Sequence, residues 1–114
     1  MADDIRAHGR YIPHSPQKVR LVVDLVRGKK VLEAMDVLKF TPNAAARPVS
    51  KVLASAMANA EENFGVSRDD LYVYQIFADE APTRRWRRFG ARGRFKPILR
   101  RASHVTVVLR EVSA

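Results

Sequence analysis

Leu71-Tyr72-Val73-Tyr74-Gln75-Ile76-Phe77 and Ser103-His104-Val105-Thr106-Val107-Val108-Leu109-Arg110-Glu111-Val112 are both rich in β-branched and aromatic residues, the composition of strands. Between them lies PTRRWRRFGARGRFKPILRR, residues 82–101. Pairing residue 71 with residue 112 places the midpoint between Ala91 and Arg92, inside Gly90-Ala91-Arg92-Gly93, where two glycines permit a tight reversal. The spacing therefore predicts one very long hairpin. With the body ending near Glu80 and Ala102, about eleven residues run from body to tip, on the order of 35 Å at a strand's rise per residue.

Charge separates the hairpin from the rest of the chain. Of 114 residues, 21 are Lys or Arg and 12 are Asp or Glu, a formal charge of +9. Arg84, Arg85, Arg87, Arg88, Arg92, Arg94, Lys96, Arg100 and Arg101 fall within 82–101 with no acid among them, so the remaining 12 cations and 12 anions cancel. A two-stranded arm has little core of its own, and like charges repel along it, so order requires surrounding counter-charge. This selects a polyanionic partner into which the arm is threaded. Arginine exceeds lysine eight to one in the segment, which suits fixed bidentate phosphate contacts. Trp86, Phe89 and Phe95 are interleaved as candidates for base stacking. Packing back on the body is the competing reading for Trp86.

Working toward the amino end, Ile5, Ala7, Gly9 and Tyr11 alternate with Arg6, His8 and Arg10 as in a half-buried strand, which Pro13 ends. Ser15-Pro16 reads as a helix start, Val19, Val22, Val23 and Val26 as its buried stripe, and Gly28 as its stop. Leu21 and Leu25 lie off that stripe, an indication that this helix packs on two faces. A short helix follows with Val31, Met35 and Leu38 inward. Thr41-Pro42 repeats the start signal for the longest helix, whose stripe is Val49, Val52, Leu53, Ala56, Met57, Ala60 and Phe64, with Pro48 expected to kink or delay it. The expected organisation is a single domain, 1–114, with a body of 1–81 and 102–114 and a basic hairpin of 82–101.

A second basic region lies between residues 5 and 30, seven cations against Asp24. Lys18, Lys29 and Lys30 are candidate phosphate contacts, whereas Arg20 and Arg27 stand at helical spacing from Asp24, where intrahelical pairing competes. His8, His14 and His104 share no ligand spacing, and zero Cys excludes disulfides and zinc ribbons. Asp69-Asp70 suits a turn or cap, and Asp79-Glu80 suits a clamp on nearby arginines. Neither pair has a nucleophile or phosphate-cradling loop beside it. No catalytic residue, metal or cofactor is expected, and no secretory or membrane-spanning segment is read.

Ser15 to Val31, Phe40-Thr41-Pro42, Lys51 to Glu61, Asp70 to Val73, and above all Ala91-Arg92-Gly93-Arg94 followed after nine residues by His104-Val105-Thr106-Val107-Val108 resemble one family. It is the bacterial type of large-subunit ribosomal protein twenty-two, and the likeness covers roughly residues 5 to 110. The resemblance implies an α+β fold, three helices packed on a small three-stranded antiparallel sheet with the hairpin projecting as an arm. It implies a structural role without chemistry in the cytoplasm, on the ribosome: binding large-subunit ribosomal RNA, aiding assembly, touching neighbouring ribosomal proteins, and lining the nascent-peptide exit tunnel. Gly90, Ala91, Arg92 and Gly93 would then face nascent polypeptide and tunnel-binding macrolides, with no membrane partner and no homo-oligomer expected. Three positions depart from the family's pattern: Gly90 stands where many relatives have a basic residue, Pro97 interrupts the return strand, and Pro48 interrupts the long helix. A free RNA chaperone, released by moderate salt, is the competing reading from another class. A nuclease using Asp69, Asp70, Asp79 or Glu80 is a more distant third.

Overall fold

The computed structural model describes residues 4–82, 84–89 and 95–112, with side chains described for 4–82 and 101–112. In chain order the elements are β1 (Ile5–Ile12), α1 (Pro16–Val26), α2 (Val31–Phe40), α3 (Ala46–Asn63), a 3-10 turn (Arg68–Asp70), β2 (Leu71–Glu80), β3 (Arg84–Phe89), β4 (Phe95–Arg100) and β5 (Ser103–Glu111). β5 is the central strand of an antiparallel sheet ordered β1-β5-β2, and β3 and β4 form a separate two-stranded ribbon. The expected α+β architecture is present: the helices cover one face of the sheet, and the ribbon continues the β2–β5 hairpin.

The core forms where the helical stripes meet the inward positions of the strands. Val19, Val22, Val23 and Val26 from α1 and Val49, Val52, Leu53, Ala56, Met57 and Ala60 from α3 pack with Ile5, Ala7, Leu71, Val73, Ile76, Ala78, Val105, Val107 and Leu109. Each fully buried aliphatic side chain of this size contributes about 1.5–3 kcal/mol. Helix and sheet approach closely at Gly9, where a Cβ would lie 2.3 Å from Val52 Cγ2; only glycine leaves α3 room to settle on β1.

The β2 border of the sheet is partly covered by the end of α1. Gly28, in the left-handed region at φ +80°, ends α1 so that its N–H donates to Val73 O at 3.0 Å, while Val73 N–H donates to Lys29 O at 2.8 Å. Arg27 Nη2 donates to Ile76 O at 2.8 Å and Arg20 Nε to Ala78 O at 3.3 Å. Four outward backbone groups of β2, the N–H and carbonyl of Val73 and the carbonyls of Ile76 and Ala78, are thereby occupied, which hinders pairing with a foreign strand. At the other border Asn59 of α3 donates to Arg6 O.

Several expectations are corrected. Tyr11 does not point inward: β1 carries one extra residue between Gly9 and Ile12, Tyr11 takes φ 55°, and the bulge reverses the alternation so that Ile12 is buried and Tyr11 exposed. Leu21 and Leu25 are 62% and 45% exposed, so α1 packs on its valine side alone. Met35 and Phe64 are likewise less buried than expected, Met35 half-buried and Phe64 exposed. Thr41-Pro42 does not start α3. Thr41 closes α2, its Oγ1 donating to Val37 O at 2.6 Å, and Asn43 Oδ1 accepts Ala45 N–H ahead of the helix. Because α3 begins at Ala46, Pro48 sits in its first turn, where a backbone N–H has no intrahelical acceptor to lose. Pro97 does not interrupt β4, because a two-stranded ribbon leaves alternate N–H groups outward. Leu71 pairs with Glu111, not residue 112, and a bulge between Val73 and Gln75 shifts the register.

Candidate nucleic-acid interface

The body's ladder ends at Glu80↔Ser103, and a separate ladder, its register shifted by one residue, takes up the pairing in the arm from Arg84↔Arg100. After Glu80↔Ser103, Ala81 N–H donates to Ala102 O at 3.0 Å, and the arm's rungs are Arg84↔Arg100, Arg85↔Leu99, Trp86↔Ile98, Arg87↔Pro97, Arg88↔Lys96 and Phe89↔Phe95. The last rung leaves residues 90–94 between the strands, centred by count on Arg92. The chain measures 67 × 25 × 17 Å along its principal axes, far longer than its body is wide. Two rungs, 84/100 and 88/96, oppose cation to cation, an arrangement that destabilises a ribbon in isolation. Gly90, Ala91, Arg92, Gly93 and Arg94 lie outside the described residues. For Arg84, Arg85, Trp86, Arg87, Arg88, Phe89, Phe95, Lys96 and Arg100 the description is of the backbone alone.

At the base of the arm, exposed Arg101 shares an open polar cleft with Ser15, Pro16, Gln17, Arg20 and Glu80. Lys18 is exposed on the first turn of α1, close in sequence to that cleft. Lys29 and Lys30 lie at the opposite end of α1. Lys29 Nζ is 3.5 Å from Glu33, and exposed Lys30 forms a backbone bridge to Tyr72. Arg27 pairs with Asp24 at 2.6 Å as its spacing suggested, but Arg20 reaches the β2 backbone instead of Asp24. No ion pair joins Asp79 or Glu80 to a cation among the described side chains; Asp79 stands opposite His104 in the sheet register. Asp69 and Asp70 lie in the 3-10 turn, capped by Ser67, whose Oγ accepts Asp69 N–H.

The sheet face turned away from the helices is a set of rings and cations that the sequence reading did not collect. Three of its rows carry rings, and a further row, Arg6, Val108 and Gln75 in register, lies before the last of them. Nearest the arm, Tyr11 N–H donates to His104 Nδ1 at 3.1 Å, and the two rings meet edge to face with centroids 4.7 Å apart. In the middle row His8, Thr106 and Phe77 stand in register, with His8 Nδ1 3.2 Å from Thr106 Oγ1. Farthest from the arm, the Arg110 guanidinium lies 3.4 Å over the Tyr74 ring, while its Nε donates to Asp4 Oδ1 at 2.5 Å. That hydrogen bond, reinforced by the charges of Arg110 and Arg6, holds the Asp4 carboxyl below its ordinary value. Tyr11, Phe77 and Tyr74 are 57%, 41% and 36% exposed. The alternation of Tyr72 and Tyr74 with buried Leu71 and Val73 was the available signal. The bulges in β1 and β2 decide which rings share the face.

His8 and His104 thus serve cross-strand contacts, and the His14 carbonyl accepts a hydrogen bond from Ser103 Oγ at 2.7 Å. A protein-family model described as Ribosomal protein L22p/L17e matches residues 7–110. The match runs from within β1 to within β5 and takes in the three helices, the sheet and the whole basic segment, so this chain belongs to the ribosomal protein L22p/L17e family of large-subunit ribosomal proteins.

Proposed function

We propose that this protein is a structural, non-enzymatic component of the large ribosomal subunit that binds its ribosomal RNA mainly through the arm. The supporting observation is that the one segment holding all the net charge is paired as a ribbon beyond the hydrophobic core. Arg84, Arg85, Arg87, Arg88, Arg92, Arg94, Lys96, Arg100 and Arg101 neutralise phosphates of RNA segments distant in sequence and hold them together during assembly. Lys18, Lys29 and Lys30 add contacts from the body. Phosphate pairing gives affinity without base readout, and RNA shape supplies the specificity.

In this reading Gly90, Ala91, Arg92 and Gly93 form part of the exit-tunnel wall, passed by nascent polypeptide and by tunnel-binding macrolides. The test is to assemble large subunits with short deletions between Phe89 and Phe95, and to measure subunit yield, drug response and stalling on an arrest peptide. The expected result is normal yield with altered stalling or drug response. Unchanged stalling and drug response in every tip variant, at normal yield, refutes a lumen-facing tip. Failure of the tagged protein to sediment with large subunits in magnesium buffer refutes the reading as a whole.

A further inference from the structure

We propose that the open face of the β1-β5-β2 sheet is a second RNA-binding surface, one that stacks the bases of an unpaired segment. The inference rests on the RNA-binding reading above and names a different site from the arm. Bases in an A-form duplex are hidden from a flat surface, whereas unpaired bases stack on aromatic rings and on guanidinium planes. This face offers both.

Three of its rows are planar platforms: Tyr11 with His104, Phe77 with His8 across Thr106, and, beyond the row of Arg6, Val108 and Gln75, the Arg110 guanidinium carried on Tyr74. From His104 to Arg110 is six residues of one strand, about 20 Å, room for the two or three bases that sheet-faced RNA-binding modules stack. The platforms are held in place before any ligand arrives. Tyr11 is anchored by its own N–H to His104, and Arg110 is fixed by Asp4 from one side and Tyr74 from below.

Charge supports the same occupant. Exposed Arg6 and Arg10 line the β1 border, Arg6 lying 3.9 Å from Asp4, while the exposed acid Asp79 stands opposite His104 on the β2 side; a phosphate backbone can therefore follow the β1 border at Arg10 and Arg6 while its bases lie inward on the rings. Arg6, Arg10 and Arg110 border these rings and the middle row is polar at His8 and Thr106, so the face pairs stacking surfaces with phosphate-binding charge, the combination that single-stranded RNA uses.

The experiment uses the full-length protein and a 12-nucleotide oligouridine, with an RNA duplex of the same length as competitor. Binding is measured across a salt series, and resonances of the sheet are followed by NMR. The expected result is movement of the Phe77, Thr106, His8 and Arg110 signals on adding oligouridine, with poor competition by the duplex. Phe77→Ala and Tyr74→Ala should each weaken binding about fivefold or more without altering the salt slope, and Phe77→Trp should retain it. Arg84→Ala/Arg100→Ala should flatten the salt slope on large-subunit ribosomal RNA and leave the sheet signals responsive to oligouridine. Parental affinity in both alanine variants, with static sheet signals, overturns the inference and leaves the face to a protein neighbour. Loss of binding in the sheet variants combined with an unchanged salt slope on ribosomal RNA in the arm variant refutes the arm reading and leaves this one standing.

Discussion

Replacing the four cations of the two like-charged rungs, Arg84→Ala/Arg88→Ala/Lys96→Ala/Arg100→Ala, gives the sharpest test of the arm. The register opposes Arg84 to Arg100 and Arg88 to Lys96, so the free protein holds these charges together against their repulsion, and only phosphates placed around the arm compensate. Binding falls with salt by about 0.9 in log K per log salt for each phosphate neutralised. If each of the nine arm cations meets one phosphate, the parent loses about 10⁵ in affinity between 50 and 200 mM salt. The variant, with five cations left, loses about 500-fold over the same interval. Its slope is smaller by about 3.6. The assay is filter binding of the full-length protein to large-subunit ribosomal RNA across that salt range, alongside thermal unfolding. Unfolding of the body should be unchanged or slightly improved, because the change removes two like-charged rungs of a ribbon separate from the body's sheet. An unchanged slope refutes the arm as the main footprint, as does a larger flattening from Lys29→Ala/Lys30→Ala.

Exchanging residues 83–101 for a short glycine-containing turn should leave a soluble body with a single cooperative unfolding transition, since the core cluster among the described residues is built from Ile5 through Ala78 and from Val105, Val107 and Leu109; a broad, non-cooperative melt would make the arm part of the core. Gly9→Ala should destabilise by about 1–3 kcal/mol through overpacking, because the new Cβ meets Val52 Cγ2. Val52→Ala should restore part of that loss in the double variant, and strictly additive denaturation midpoints would refute the close approach. The hydrogen bonds of Arg110 to Asp4 and of Arg68 to Glu61 hold both carboxyls below their ordinary values of 3.8 and 4.5. A depressed carboxyl contributes stability above its unfolded value and loses it as pH falls through the folded one. The melting temperature should therefore drop from about pH 4.5 downward, and Asp4→Asn/Glu61→Gln should flatten that acid limb, with circular dichroism melts at each pH as the measurement.

Local chemistry made much of this protein legible from its residues. The valine stripe of α1, the glycine after it, the alternating strands and the acid-free segment 82–101 each state their structure within a few neighbouring positions. Periodicity, backbone permissiveness and net charge are all local properties. The same locality misled at Thr41-Pro42, which carries a start signal that the chain uses to close α2, and at Pro48, harmless once the helix begins at Ala46. Tertiary structure alone decided what depends on register. One extra residue in β1 turned Tyr11 outward, and a bulge in β2 brought Tyr74 beneath Arg110, a residue 36 positions away in sequence. Arg20 passed over the acid four residues along its helix for a carbonyl on the neighbouring strand. A side chain's face follows from counting along its own strand, but its partner is set by how that strand slides against the next. That alignment is fixed by the burial of the whole core, to which residues from every part of the body contribute.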